Sequence, residues 1–114
     1  MADVYIIGSY STRFQKWPDK SFKDLTREAY LGVLDDSGLD NGDDIEIAYF
    51  GNCGLGTFGQ PCIRVQVCFT PLVQEGLFPE RVPTVNVEDA CATSSVAMNG
   101  AWKDILSGQS HLAI

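Results

Sequence analysis

Positive charge is scarce in this chain: eight Lys plus Arg stand against fifteen Asp plus Glu, a formal net charge of −7 over 114 residues. Such a surface repels phosphate polyanions unless basic residues are gathered locally, and the sequence has no Lys/Arg run, which excludes a general nucleic-acid binder. No apolar stretch approaches the roughly 18 residues of a membrane span. The opening Met1-Ala2-Asp3-Val4 lacks the basic flank of a signal peptide, so a soluble, cytoplasmic protein with no membrane partner is expected. The four cysteines, at 53, 62, 68 and 91, contain no C-x-x-C pair. Neither structural zinc nor a disulfide framework is therefore expected. Histidine occurs once, at His111.

Apolar residues, at 45% of the chain, are arranged in a regular alternation of element signals. Val4-Tyr5-Ile6-Ile7, closed by Gly8 and Ser9, has the pattern of a buried strand. Ser21 lies three residues before Asp24, a capping-box spacing, and Gly38 supplies a C-terminal stop, predicting a helix over 21–37. After an acidic loop, Ile45-Glu46-Ile47-Ala48-Tyr49-Phe50 reads as a strand bounded by Gly51. A glycine-rich connection leads to a helix over 60–75, with Pro71 expected to break it near Thr70. Thr84-Val85-Asn86-Val87 is the next strand. Residues 90–102 carry no charge, and Ser95, Met98, Trp102 and Ile105 recur at helical spacing, predicting a helix buried on most sides and ended by Gly108. A fourth strand is expected from His111 onward.

The order β-α-β-α-β-α-β predicts an α/β layered domain with a mostly parallel sheet and ligands bound near strand C-termini. A domain of this length buries only about two-thirds of its unfolded surface, leaving little room for a two-domain cleft. Because Ser110-His111-Leu112-Ala113-Ile114 is a rising apolar run, it reads as an element cut off, and a complex site is expected to be shared.

Cys62 and Cys68 sit among apolar neighbours and are expected to be small buried hydrophobes, while the exposure of Cys53 in the glycine-rich loop is open. Cys91 follows the strand over 84–87 and opens the next helix, where unpaired N–H groups and the helix dipole favour a thiolate. Glu88 and Asp89 would oppose this if they pointed inward. Geometry alone leaves two readings, a nucleophile that attacks carbonyl carbon and a core cysteine. The small residues Ala92, Thr93, Ser94 and Ser95, which let a substrate approach, favour the first.

Cys91-Ala92-Thr93-Ser94-Ser95, preceded by Thr84-Val85-Asn86-Val87, resembles the nucleophile segment of the thiolase superfamily, in which an Asn-bearing strand leads into a Cys-Ala-Ser-Gly helix start. Val4 to Gly8 with Thr12, Arg13 and Phe14 is similar to the family's opening, and Leu25, Ala29, Leu34 and Gly38-Leu39 to its first helix. Gly51-Asn52, Gly59-Gln60, Arg64, Ile105, Ser107 and Gly108 resemble later landmarks, so the likeness covers essentially all of the chain. Ser94 stands where the family has glycine, adding a side chain where acyl groups pass.

The resemblance leans toward the sterol-carrier-type and acetyl-CoA acetyltransferase-like branch; β-ketoacyl synthases, which share the fold and a similar Cys-Ala-Thr-Ser turn, are an alternative. It implies the N-terminal half of a two-half fold. It also implies lipid metabolism through acyl transfer from an acyl-CoA substrate via an acylated Cys91, and a homodimer. Histidines and a second cysteine acting as acid and base would come from the other half, in this chain's continuation or a partner chain. No cofactor or metal is implied, coenzyme A entering as part of the substrate, and His111 matches no catalytic position. A truncated or companion subunit without turnover is the non-enzymatic alternative.

Gly54-Leu55-Gly56-Thr57-Phe58-Gly59 also satisfies the G-x-G-x-x-G pattern of dinucleotide sites, with Glu88 as ribose ligand. The match has low specificity: Gly51, Asn52 and Cys53 lengthen the turn, Pro61 disturbs the helix start, and Glu88 lies 29 residues past Gly59 rather than about 20.

Overall fold

A computed structural model describes residues 3–114. The chain forms α1 (Phe22–Ser37), β1 (Ala48–Gly51), α2 (Arg64–Gln74), β2 (Thr84–Val87) and α3 (Thr93–Leu106), with short 3-10 turns at Leu55–Phe58 and Ala90–Ala92. These elements fall into two compact units, one of residues 44–66 and 80–114 with the segment up to Val4, the other of Tyr5–Asp43 and Val67–Pro79.

In the first unit β1 and β2 pair in parallel, with Ala48 opposite Thr84 and Gly51 opposite Val87. The segment after α3 lies along the other side of β1 through a parallel bridge between Ile47 and Ala113, flanked by bonds from Tyr49 N–H to the Ile114 carbonyl (2.7 Å) and from Ile114 N–H to that of Ile47 (3.0 Å). The expected fourth strand is thus present as one bridge. Ile45, Ala48, Leu55, Val65 and Val82 make the buried apolar set of this unit. Two glycines set how closely α3 lies on β1. A Cβ on Gly100 would fall 2.5 Å from the Tyr49 ring, and one on Gly51 would fall 2.7 Å from the Thr93 methyl carbon. The Tyr49 hydroxyl then donates to the Asp104 carboxylate at 2.7 Å, tying the last turn of α3 to the strand.

In the second unit α1 forms where its caps predict. The Ser21 hydroxyl accepts from Asp24 N–H, the Asp24 carboxylate accepts from Ser21 N–H at 2.7 Å, and Gly38 closes the helix with φ 72°. Phe78 meets both Tyr30 and Phe69 edge to face, with the Phe69 and Phe78 ring centroids 4.8 Å apart, and Tyr30 and Phe69 are tilted to each other. The Tyr30 hydroxyl donates to the Leu77 carbonyl at 2.5 Å, and burial, with the Asp43 charge, pushes its pKa up to about 12.

Three expectations are corrected. Residues 4–7 form no strand, and Tyr5, Ile6 and Ile7 are exposed, because β-branched residues make a strand only where a neighbouring edge takes up their backbone bonds. The observed order therefore begins with a helix. Pro71 lies inside α2 without breaking it. A mid-helix proline costs about 3 kcal/mol, which is offset where the helix buries Cys68, Phe69 and Leu72. Finally, α3 is not buried on most sides: it packs on β1 and β2, while Val96, Met98 and Trp102 are exposed.

Candidate active site

β2 runs through Glu88 and Asp89 into Ala90, which adopts a left-handed backbone with φ 46°. For an L-residue with a Cβ this conformation is unfavourable by roughly 1–2 kcal/mol, and the neighbouring side chains hold it. The Glu88 carboxylate accepts from Ala90 N–H at 2.8 Å. The Thr93 hydroxyl accepts from Asp89 N–H at 2.9 Å and donates to the Ala90 carbonyl at 2.7 Å. Ala92 N–H closes the turn onto the Asp89 carbonyl at 2.9 Å. Thr93 itself is 5% exposed.

Cys91 sits at the middle of this turn and is exposed, so it is not a core cysteine. Ala92 is the N-cap of α3 and brings no side-chain oxygen, so no side chain caps the first turn beside the cysteine, while the Thr93 N–H donates to the Ala90 carbonyl. Glu88 turns its carboxylate back onto the turn's own backbone.

The landmarks around the glycine-rich loop form a scaffold. The Asn52 side chain accepts from Gly54 N–H at 2.9 Å and Leu55 N–H at 2.7 Å, starting the 3-10 turn, and the Asn52 carbonyl accepts from the Arg64 guanidinium. From β2, Asn86 accepts from Val65 N–H at 2.8 Å and donates to the Gln66 side chain at 3.0 Å, so a strand residue caps the first turn of α2. Asn52, Arg64 and Asn86 were visible in the sequence as landmarks, but their roles were not. The bracing role of Thr93 was missed entirely; its one sequence signal is a β-branched hydroxyl three residues after Ala90, at helix-start spacing.

The remaining expectations divide. Cys68 is buried, and burial pushes its thiol up. Cys62 is exposed instead, because it lies in the loop before α2 beside an equally exposed Ile63, where apolar sequence neighbours provide no cover. Cys53 is exposed. His111 has a ring 87% exposed; the His111 backbone N–H donates to the Glu46 carboxylate at 2.5 Å, and this bond is the main reason the Glu46 carboxyl is held below its usual range. The dinucleotide reading fails on geometry. Gly54 to Gly59 encloses a 3-10 turn closed by Gly59 at φ 90°, and α2 begins only at Arg64, so the glycines do not open a helix onto a pyrophosphate.

The first unit is a parallel α/β unit that presents an exposed cysteine at a strand-to-helix turn, where ligands of open α/β sheets bind. The chain belongs to the thiolase family: residues 4–114 match its N-terminal domain. It is 34% identical to an acetyl-CoA acetyltransferase of Methanothermobacter thermautotrophicus and 36% to one of Methanocaldococcus jannaschii, in each case over all of this chain and 28% of the relative. It is also 32% identical to the benzoylsuccinyl-CoA thiolase subunit BbsB of Thauera aromatica, over 97% of this chain and 26% of that one. The chain thus spans little more than a quarter of the length of these curated relatives.

Proposed function

We propose that this chain is the N-terminal half-domain of a thiolase-type acyltransferase that acts on acyl-CoA thioesters through an acyl-cysteine at Cys91. The observation that carries the reading is the exposed Cys91 on the braced turn between β2 and α3, in a chain whose relatives include two acetyl-CoA acetyltransferases. In the first step the Cys91 thiolate attacks the thioester carbonyl carbon, forming a new C–S bond and moving an electron pair onto the carbonyl oxygen. Backbone N–H groups of a helix start without a side-chain cap, as at α3, are donors of the kind that stabilise such an oxyanion. Collapse of that intermediate breaks the bond to coenzyme A, whose sulfur leaves and takes a proton from a general acid. The acyl group then passes to a second thiol or a carbanion, and the Cys91 thiolate is restored.

The acid and base groups belong, on this proposal, to the other half of the fold, supplied by the same polypeptide or a partner chain. We place the assembly in the cytoplasm as a homodimer serving lipid metabolism. Support for that compartment comes from the cysteines, all four of which are free, as a reducing environment keeps them. Among the described residues no helix is long and apolar enough to cross a membrane.

The test is peptide mass spectrometry after exposure to acetyl-CoA or iodoacetamide. Cys91 is expected to label faster than the exposed Cys53 and Cys62, which serve as internal references; equal rates sink the nucleophile reading. A non-catalytic companion subunit is the second reading, favoured by the exposed apolar residues of α3. Supplying a chain with the C-terminal half separates the two: acyltransferase activity abolished by Cys91→Ala supports catalysis here, and activity indifferent to it supports the companion.

A further inference from the structure

We infer that Thr93 is a positioning residue for Cys91, its hydroxyl holding Ala90 in the left-handed conformation that presents the cysteine. The inference rests on Cys91 being the nucleophile. A threonine hydroxyl has one proton and two lone pairs, and here both capacities are used on the two sides of a single residue. It donates to the Ala90 carbonyl at 2.7 Å and accepts from the N–H of Asp89 at 2.9 Å. Rotating Ala90 back to a negative φ would carry its carbonyl away from Thr93, so the bonds and the left-handed backbone stand or fall together.

The other half of the side chain fixes its direction. The Thr93 methyl is seated against Gly51 of β1, where a Cβ on the glycine would lie 2.7 Å from it. With χ1 restricted by β-branching and the methyl lodged at the strand, the hydroxyl faces the turn. Glu88 braces the same residue from its N–H side, but its carboxylate is exposed and competes with water. Thr93 is 5% exposed and does not. The sheet, the helix start and the cysteine turn are therefore linked through one side chain that touches no substrate.

The experiment compares iodoacetamide labelling rates of Cys91 against Cys53 and Cys62 in the 114-residue chain, with folding followed by far-UV circular dichroism. Thr93→Val keeps the methyl contact and loses both bonds, and is expected to slow Cys91 about tenfold relative to the references, the effect of losing roughly one net hydrogen bond's worth of positioning. Thr93→Ser, with the hydroxyl but no seated methyl, should fall between. Because glycine adopts positive φ without a steric cost, Ala90→Gly in the T93V background should restore most of the rate. A merely structural packing role for Thr93 would not be rescued this way. An unchanged Cys91 rate in T93V, or a folded A90G/T93V chain that stays slow, overturns the inference. Should T93V fail to fold, Thr93→Ser against Thr93→Ala decides: a T93A chain slower at Cys91 than T93S supports the role of the hydroxyl, and equal rates in the two overturn it. If wild-type Cys91 is no faster than Cys53, the nucleophile reading fails first and this inference with it. A fast wild-type Cys91 untouched by T93V removes the role of Thr93 alone.

Discussion

Gly51 has no side chain because Thr93 occupies the space one would need. Gly51→Ala would push a methyl group to 2.7 Å from the Thr93 methyl carbon and 3.3 Å from its carbonyl oxygen, both on a buried residue with little room to retreat. Overpacking of this kind costs about 1–3 kcal/mol, so the urea midpoint of G51A is expected to fall accordingly. An unchanged midpoint would mean that β1 and α3 do not approach this closely. At this scale the sequence revealed the cysteine at the strand-to-helix turn but not what holds it. Cys91 could be singled out because its place between a strand and a helix is readable from local patterns. Ala90 could not, since nothing in its side chain asks for a left-handed backbone and the bonds that impose it come from Glu88 and Thr93. Asn86 was likewise opaque: its partner is Val65, which sequence patterning does not place beside it.

Among elements, α1 was fully legible because both its ends are fixed by residues within the helix or next to it. The Asp24 carboxyl is held below its ordinary value of 3.8 first by the Ser21 backbone N–H, then by the Ser21 hydroxyl. A carboxyl with a depressed folded pKa contributes stability that is fully present above the unfolded value and is lost as pH falls through the folded one. Asp24→Asn should therefore lower Tm at neutral pH, and the difference from the wild type should shrink as the pH is taken below 3.8. A difference that persists in acid would assign the effect to something other than the carboxylate cap. β2 was equally clear, with the expected bounds Thr84–Val87. The failures share one cause, that strand and burial assignments depend on a neighbour. Residues 4–7 have strand composition and no ladder, α2 passes through Pro71 because its buried face outweighs the lost bond, and α3 has the composition of an interior helix while Val96, Met98 and Trp102 stay exposed.

For the molecule as a whole, the exposed part of α3 sets an expectation. Met98 and Trp102, one helical turn apart, are 57% and 47% exposed in a chain spanning 28% of its acetyltransferase relatives. In a Trp17→Phe background Trp102 should be readily quenched by acrylamide. It should become protected, with blue-shifted emission, when a thiolase C-terminal half is supplied, and sedimentation equilibrium of that assembly should give two copies of each half. Unaltered quenching on assembly would show that this face is not what the other half covers. The capping of α2 by Asn86 has a consequence for the order of folding. The parallel ladder joins residues 48–51 to residues 84–87, so it requires closure of a long loop, which is slow compared with forming a helix that caps itself. Since β2 supplies both the cap of α2 and the entry to the cysteine turn, α1 can form early while the Cys91 sulfur takes its place only after the strands have met. A newly made chain thus leaves its cysteine turn unassembled until its sheet exists.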